Sequence, residues 1–192
     1  MTEERLKRIK RVLGRRQPDL TVVMENIHDP HNVSAMLRSA DAVGVAEVHL
    51  VYTTQQFPEL GKKSSASALK WVTRRKFQSI ESCFDDLHAR GFTIFATHLS
   101  RHAVSLYDVD LTKNVAFVFG NEHTGVSDEA ATLADVNFQI PMMGMIQSLN
   151  VSVACAVTLY EALRQRIEGG LYKRRRFPKH EYEALLKEWS LK

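Results

Sequence analysis

The sequence predicts an α/β fold, a mostly parallel sheet with helices on both faces. Short runs rich in Val, Ile and Phe alternate with helix-like patterns along the chain, which is the order that builds such a sheet. The helix-like stretches have recognisable starts and stops. The length, 192 residues, suits one domain with a sizeable core and short extensions.

The elements follow in order. Residues 3–17 read as a basic helix with Glu3 and Glu4 in its first turn, near the positive end of the helix dipole, and Pro18 as its stop. Strands are expected over 20–25, 46–52, 72–77, 92–97, 115–119 and 136–140. Between the first two, Val33, Met36, Leu37, Ala40 and Val43 form an apolar stripe at helical spacing, and Gly44 stands where a left-handed cap belongs. A second helix begins near Ser79 and ends before Gly91; a third begins at Ser127, with Asp128 and Glu129 in its first turn. From Asn150 a longer helix carries Ser152, Ala154, Cys155 and Ala156, then Leu159, Ala162 and Leu163, and stops at Gly169-Gly170. Such small residues permit close approach either to the sheet or to a second subunit. Pro178 opens a final helix bearing Tyr182, Leu185, Leu186 and Trp189. No internal repeat or low-complexity segment interrupts this plan.

Composition narrows the function classes. Cys83 and Cys155 are far apart and lack metal-type spacing, which suggests a reducing setting rather than a disulfide framework. The N-terminal residues are charged, and no uncharged run approaches the ~20 residues of a membrane span, so a cytoplasmic protein is expected. The net charge of +4 is unevenly spread: residues 1–17 carry +5, residues 161–192 carry +4 and the middle carries −5. Basic ends on an acidic middle suit a polyanion, and Lys173-Arg174-Arg175-Arg176 with the cluster Lys62, Lys63, Lys70, Arg74, Arg75 and Lys76 favours nucleic acid over plain solvated helices. Paired histidines, His28 with His31 and His98 with His102, lack the third ligand of a catalytic metal site, so no metal is expected. Neither cysteine sits in a nucleophile pattern.

Three segments invite chemistry. The stretch 140–154, Ile-Pro-Met-Met-Gly-Met-Ile-Gln-Ser-Leu-Asn-Val-Ser-Val-Ala, is apolar, without periodicity and glycine-containing where a polar connection is usual. Its unpaired amides would suit a flat ligand with a polar edge, such as adenine; a buried strand followed by a helix core is the competing reading. Gly120-Asn121-Glu122-His123-Thr124-Gly125 directly follows an apolar strand, the place where α/β proteins bind ligands. Val126 stands where a phosphate-loop lysine would be, which disfavours nucleotide hydrolysis. Finally, His28-Asp29-Pro30-His31-Asn32 leads into the helix bearing Arg38. Asn32 is typed as an N-cap, and Arg38 could pair with Asp41 one turn on; either could instead face the same crevice as Glu122.

Taken together, Asn32…Arg38, Phe119 to Gly125, and Ile140-Pro141-Met142 through Ser148-Leu149-Asn150-Val151-Ser152 resemble the motifs of the SPOUT class of RNA 2′-O-ribose methyltransferases. The resemblance covers about residues 18–168. With basic extensions at both ends and no separate RNA-binding domain, the chain is most similar to the tRNA (guanosine-18 2′-O)-methyltransferase family. The resemblance implies a C-terminal deep trefoil knot, S-adenosyl-L-methionine as cofactor and a homodimer. It also implies a division into a basic N-terminal helix (1–17), a methyltransferase domain (18–168) and a basic C-terminal extension (169–192). Cofactor contacts would fall on Thr97, Leu99, Gly120, Ile140, Met145, Ser148 and Leu149. Arg38, Asn32, Glu122, Ser148 and Asn150 would form the catalytic group, with Arg38 either accepting the ribose proton or stabilising the developing alkoxide. The tRNA grips would be Arg8, Arg11, Arg15 and Arg16 at one end, and Arg166, Lys173, Arg174 and Arg175 at the other, with Tyr172 and Phe177 as stacking partners.

Overall fold

The structure is a computed structural model that describes residues 1–54, 56–58, 68–98 and 102–192. Leu99, Lys62 and Lys63 lie outside the described residues.

Seven parallel strands form one sheet in the order β3-β2-β1-β6-β4-β7-β5. They are β1 (Leu20–Glu25), β2 (Glu47–Val51), β3 (Thr73–Phe77), β4 (Thr93–Thr97), β5 (Val104–Ser105), β6 (Val115–Phe119) and β7 (Val136–Gln139). The central pair, β1 and β6, is buried throughout, as strands covered on both faces must be. Helix α2 (Pro30–Val43) and helix α6 (Val151–Glu168) cover one face, packing Met36, Leu37, Ala40, Cys155, Leu159 and Ala162 against Leu20, Val22, Met24 and Phe117. Helix α4 (Ile80–Ala89) and helix α5 (Asp128–Leu133) cover the other, with Cys83, Phe84, Leu87 and Ala130 against Val23, Ala116 and Val118. At about 1.5–3 kcal/mol for each large apolar side chain buried, these two layers dominate the stability.

Among the described residues between β2 and β3 is one helical turn, α3 (Ala68–Trp71), which was not expected from the sequence; nor was the two-residue strand β5. The small residues Cys155 and Ala162 of α6 face the body of the protein, where α2 packs closely on α6.

The ends of the chain meet. Helix α1 (Glu3–Leu13) stops at Gly14 rather than running on to residue 17, and packs on α7 (Lys179–Leu191). Ile9, Leu13 and Trp189 form a third core, with Trp71, Phe177, Tyr182, Leu185 and Leu186 around it.

Two of the arginines expected to grip RNA are structural instead. Arg166 is fully buried; it donates to the Leu111 carbonyl (2.9 Å), Gln17 Oε1 (3.1 Å), Asp19 Oδ1 (2.7 Å), the Asp19 carbonyl (3.0 Å) and the Lys113 carbonyl. Arg16 is buried beneath Trp189, donates to the Val45 carbonyl at 2.7 Å, and pairs with Asp41. Burial pushes the Arg16 guanidinium below its ordinary pKa, and Asp41 offsets part of that. Because Asp41 is taken by Arg16, it does not pair with Arg38. Tyr172 and Phe177 are likewise occupied: the Tyr172 hydroxyl donates to the Val43 carbonyl at 2.6 Å, and Phe177 packs in the third core. Arg8, Arg11, Arg15, Lys173, Arg174 and Arg175 are exposed.

Candidate functional site

All seven strands run in one direction, so their carboxyl ends lie along one edge of the sheet. Ligands bind α/β sheets where the strand order reverses, here beside β1, β6 and β4. A cavity of about 670 Å³ opens at that edge. It is lined by Thr97 and His98 after β4, by residues 119–126 and 128 after β6, and by Phe138, Gln139, Ile140, Met142, Gln147, Ser148, Leu149, Asn150, Val151 and Ala154.

The turn after β6 is built on contacts that demand its residues. A side chain on Gly120 would put a carbon 2.1 Å from the Gly125 carbonyl oxygen, so that position admits no substitution without moving the backbone. The Gly125 N–H donates to the Asn121 carbonyl at 2.8 Å, and Asn121 Nδ2 donates to the Asn26 carbonyl at 2.9 Å, which ties the turn to the end of β1. Glu122 is thereby held beside the start of α2.

Glu122 is the hub of the site. Its Oε2 accepts from the His28 N–H at 2.9 Å; its Oε1 accepts from the Asp29 N–H at 3.0 Å and from Asn32 Nδ2 at 2.8 Å. Burial alone would push the Glu122 carboxyl up, yet these hydrogen bonds outweigh it and hold the pKa below the usual carboxylate value. Glu122 therefore stays ionised and fully engaged at neutral pH, which makes it a poor proton acceptor and a good brace. Burial of Tyr52, and after it the Glu122 charge, push the Tyr52 hydroxyl pKa upward, and that hydroxyl donates to the Ile27 carbonyl at 3.0 Å.

Asn32 passes the network on. It is not the N-cap of α2: Asp29 takes that place, accepting from the His31 N–H at 2.7 Å ahead of Pro30. Asn32 lies one turn in, buried, and its Oδ1 accepts from Asn150 Nδ2 at 3.1 Å. Asn150 Oδ1 in turn caps α6, accepting from the Ser152 N–H at 2.9 Å and the Ser152 hydroxyl at 2.6 Å. The three motifs legible in the sequence thus meet in one chain of hydrogen bonds, Glu122 to Asn32 to Asn150.

Other expected site residues fall as follows. Thr97, Gly120, Ile140, Ser148 and Leu149 line the cavity, whereas Met145 stands outside the lining and is 99% exposed. Arg38 is exposed on α2 and has no acidic partner among the described residues. His98, Gln139, Met142 and Gln147 also line the cavity, although none of them was expected as a cofactor contact; adjacency to Thr97, Ile140 and Ser148 was the available signal.

Segment 141–149 is irregular, and among the described residues its backbone makes no hydrogen bond to the rest of the protein. It is not a buried strand: Met143, Met145 and Ile146 are largely exposed. Backbone amides without a protein partner thus stand beside the apolar Ile140, Met142 and Leu149 of the cavity lining. Among the described residues no cluster of three His, Cys, Asp or Glu side chains is placed to hold a metal, and no helix is long and apolar enough to cross a membrane.

The profile of the SpoU rRNA Methylase family matches residues 19–160, a span that includes every part of the Glu122–Asn32–Asn150 network. The chain belongs to the SpoU rRNA methylase family. It is 51% identical over 191 residues to a tRNA (guanosine(18)-2′-O)-methyltransferase of Thermus thermophilus, covering 100% of this chain and 98% of the relative. A protein of the same name from Escherichia coli is 46% identical, over 98% of this chain and 82% of its own length. Among solved structures, the TrmH/SpoU tRNA modifying enzyme of Aquifex aeolicus superposes with a TM-score of 0.92 at 41% identity, covering 98% of this chain and 96% of that one. The SpoU methyltransferase AviRb of Streptomyces viridochromogenes, solved in complex with AdoMet, gives a TM-score of 0.71 at 28% identity, over 81% of this chain and 62% of that one.

Proposed function

We propose that this SpoU methylase transfers a methyl group from S-adenosyl-L-methionine to the ribose 2′-oxygen of guanosine 18 in the D-loop of tRNA. The observation that carries the reading is the meeting of Glu122, Asn32 and Asn150 at the cavity, in a chain similar along its whole length to tRNA guanosine-18 methyltransferases.

S-adenosyl-L-methionine, when bound, supplies a methyl group activated by its sulfonium. Thr97, Gly120, Ile140, Ser148 and Leu149 are the residues to hold it, with the free amides of 141–149 at the adenine edge. Arg38 is exposed and has no acidic partner among the described residues, which leaves it available to a phosphate or to the ribose. A guanidinium is charged at every physiological pH, so Arg38 stabilises negative charge growing on the 2′-oxygen while a phosphate or water takes the proton. Glu122, Asn32 and Asn150 fix the walls against which donor and acceptor align, the source of most of the acceleration in a transfer of this kind. Ser148 borders the same space and orients the ribose.

The working form is a cytoplasmic homodimer. Val153, Tyr160 and Ile167 form an exposed apolar stripe at seven-residue spacing on α6, continuous in sequence with exposed Met143, Met145 and Ile146. A contiguous apolar surface of this kind calls for cover, and a second copy presents the same surface to it. We divide the chain into an N-terminal basic helix (1–17), a methyltransferase domain (18–168) whose C-terminal part is threaded as a deep trefoil knot, and a basic extension (169–192). The exposed Arg8, Arg11, Arg15, Lys173, Arg174 and Arg175 grip the tRNA.

The deciding experiment incubates the purified protein with methyl-labelled S-adenosyl-L-methionine and an unmodified tRNA transcript, then maps the labelled nucleotide. Label on the ribose of guanosine 18 is expected. Label at another nucleotide would overturn the substrate, and no transfer to tRNA would overturn the activity.

A further inference from the structure

β3 is an edge strand, paired only with β2, and it reads Thr-Arg-Arg-Lys-Phe. Edge strands are commonly guarded by charge, but the arrangement here divides that charge in two. Successive strand residues point to opposite faces. Arg75 shares the α4 face with Phe77, over which its guanidinium lies at 5.2 Å, and it donates two bonds to Asp86 at 2.6 and 2.8 Å. That cation is spent within the fold.

Arg74 and Lys76 are different. They stand in register with Val48 and Leu50 and so lie on the other face, the one covered by α2 and α3. Both are exposed, and neither has an acidic partner among the described residues. The Lys76 ammonium sits 5.8 Å from the ring centroid of Phe57, an aromatic platform beside the charge. Two residues along a strand are about 6.5 Å apart, so the pair presents two like charges side by side, with no carboxylate among the described residues to neutralise them. Lys70 of α3 is a third exposed cation just upstream.

The direction of the strand gives this strip a use. Its start lies by the packed terminal helices: Trp71 packs against Trp189 in a tilted arrangement with ring centroids 4.9 Å apart. Its end, Phe77, lies on the edge of the sheet that carries Thr97 and Gly120, because all the strands are parallel. A line of cations without acidic partners among the described residues therefore runs from the basic ends of the chain toward the edge of the sheet on which the site opens, three strands from β6.

We propose that Arg74 and Lys76, with Lys70 upstream, form a phosphate-binding strip that guides the tRNA backbone from the terminal helices to the site. The proposal rests on tRNA being the substrate. It goes beyond that reading by assigning RNA contact to an edge strand of the sheet rather than to the chain ends.

The test compares Arg74→Gln/Lys76→Gln, Arg74→Glu/Lys76→Glu and the opposite-face control Arg75→Gln with the unaltered protein. Binding of an unmodified tRNA transcript is measured between about 50 and 200 mM salt. The Gln pair should weaken binding and flatten the slope of log affinity against log salt by about 1.4–1.8, the loss of two phosphate contacts, while the rate at saturating tRNA stays the same. The Glu pair keeps the edge charged against aggregation and should bind more weakly still. Arg75→Gln should leave the slope unchanged and lower the denaturation midpoint. Wild-type affinity and slope in the Glu pair would overturn the strip, even with guanosine 18 methylated. Binding that depends on Arg74 and Lys76 without any methyl transfer would support the strip and overturn the assigned activity.

Discussion

Asn32 Nδ2 donates to Glu122 Oε1 at 2.8 Å, joining two side chains ninety positions apart. The amide is the right group for the place: its NH₂ meets a carboxylate while its oxygen receives Asn150, so both polar ends are used. A carboxylate cannot do both. Asn32→Asp would set a second negative charge against Glu122 and remove the amide donor that joins them. The variant should melt lower than the parent at neutral pH and transfer methyl groups far more slowly. As the pH falls toward about 5 the pair can share a proton, and the stability gap should narrow. Equal melting temperatures across that range would show that the contact does not organise the site.

Glu122 sets a second pH dependence, of known sign. Its folded pKa lies below the ordinary value, so its contribution to stability is complete above the unfolded value of about 4.3 and is lost as pH drops through the lower folded value. Glu122→Gln removes that dependence. Denaturant titrations should show the largest difference between the two proteins near neutrality and a closing gap below about pH 4. A gap that widens on acidification would reverse the assignment.

Arg166 should behave as part of the core. Arg166→Ala leaves Asp19 buried beside Arg176 alone and should cost about 3–5 kcal/mol, as breaking a buried pair does. Arg166→Lys should recover little, since an ammonium cannot reach carbonyls on several sides at once. Scored per folded molecule, tRNA affinity should hardly change. A variant of full stability and reduced affinity would return Arg166 to the RNA surface.

The two thiols should be inert while the protein is folded. Cys83 and Cys155 are buried, and burial pushes the Cys83 thiol up to about 12 and that of Cys155 higher still. A thiol-specific chromogenic reagent at about pH 8 should report no reaction until denaturant is added, then two equivalents together. Early release of one equivalent would reveal local opening around α4 or α6.

Much of this was legible in the sequence, and particular residues explain what was not. β6 could be bounded to the residue because its continuous apolar run lies between Asn114 and Gly120, and β1 because a mostly apolar run lies between Asp19 and Asn26. Ser79, Ser127 and Asn150 announced their helices by capping chemistry. Arg16 and Arg166 were misread because a basic residue in a basic run looks solvated. Their partners, Asp41 and Asp19, lie 25 and 147 positions away, beyond any local pattern. Asn32 looked like a cap because its type suits one, although the Asp29-Pro30 pair, with proline fixing the first helical φ, was the stronger signal. The apolar run after Ile140 was ambiguous for a deeper reason. Hydrophobicity says that a segment is to be covered, and it does not say whether by its own fold, by a ligand or by a second chain.

The joining of the first helix to the last has a consequence for how the protein comes into being. Leu13 and Ile9 leave the ribosome early, but the surface that covers them arrives only with Trp189 and Leu185. Through most of synthesis the N-terminal helix is thus a short basic amphipathic segment without a core of its own, too short to be stable alone. The sheet can assemble before it does. The α1–α7 layer closes only after α6 and its cavity have been made, so a nascent chain carries its basic first helix uncovered until α7 arrives.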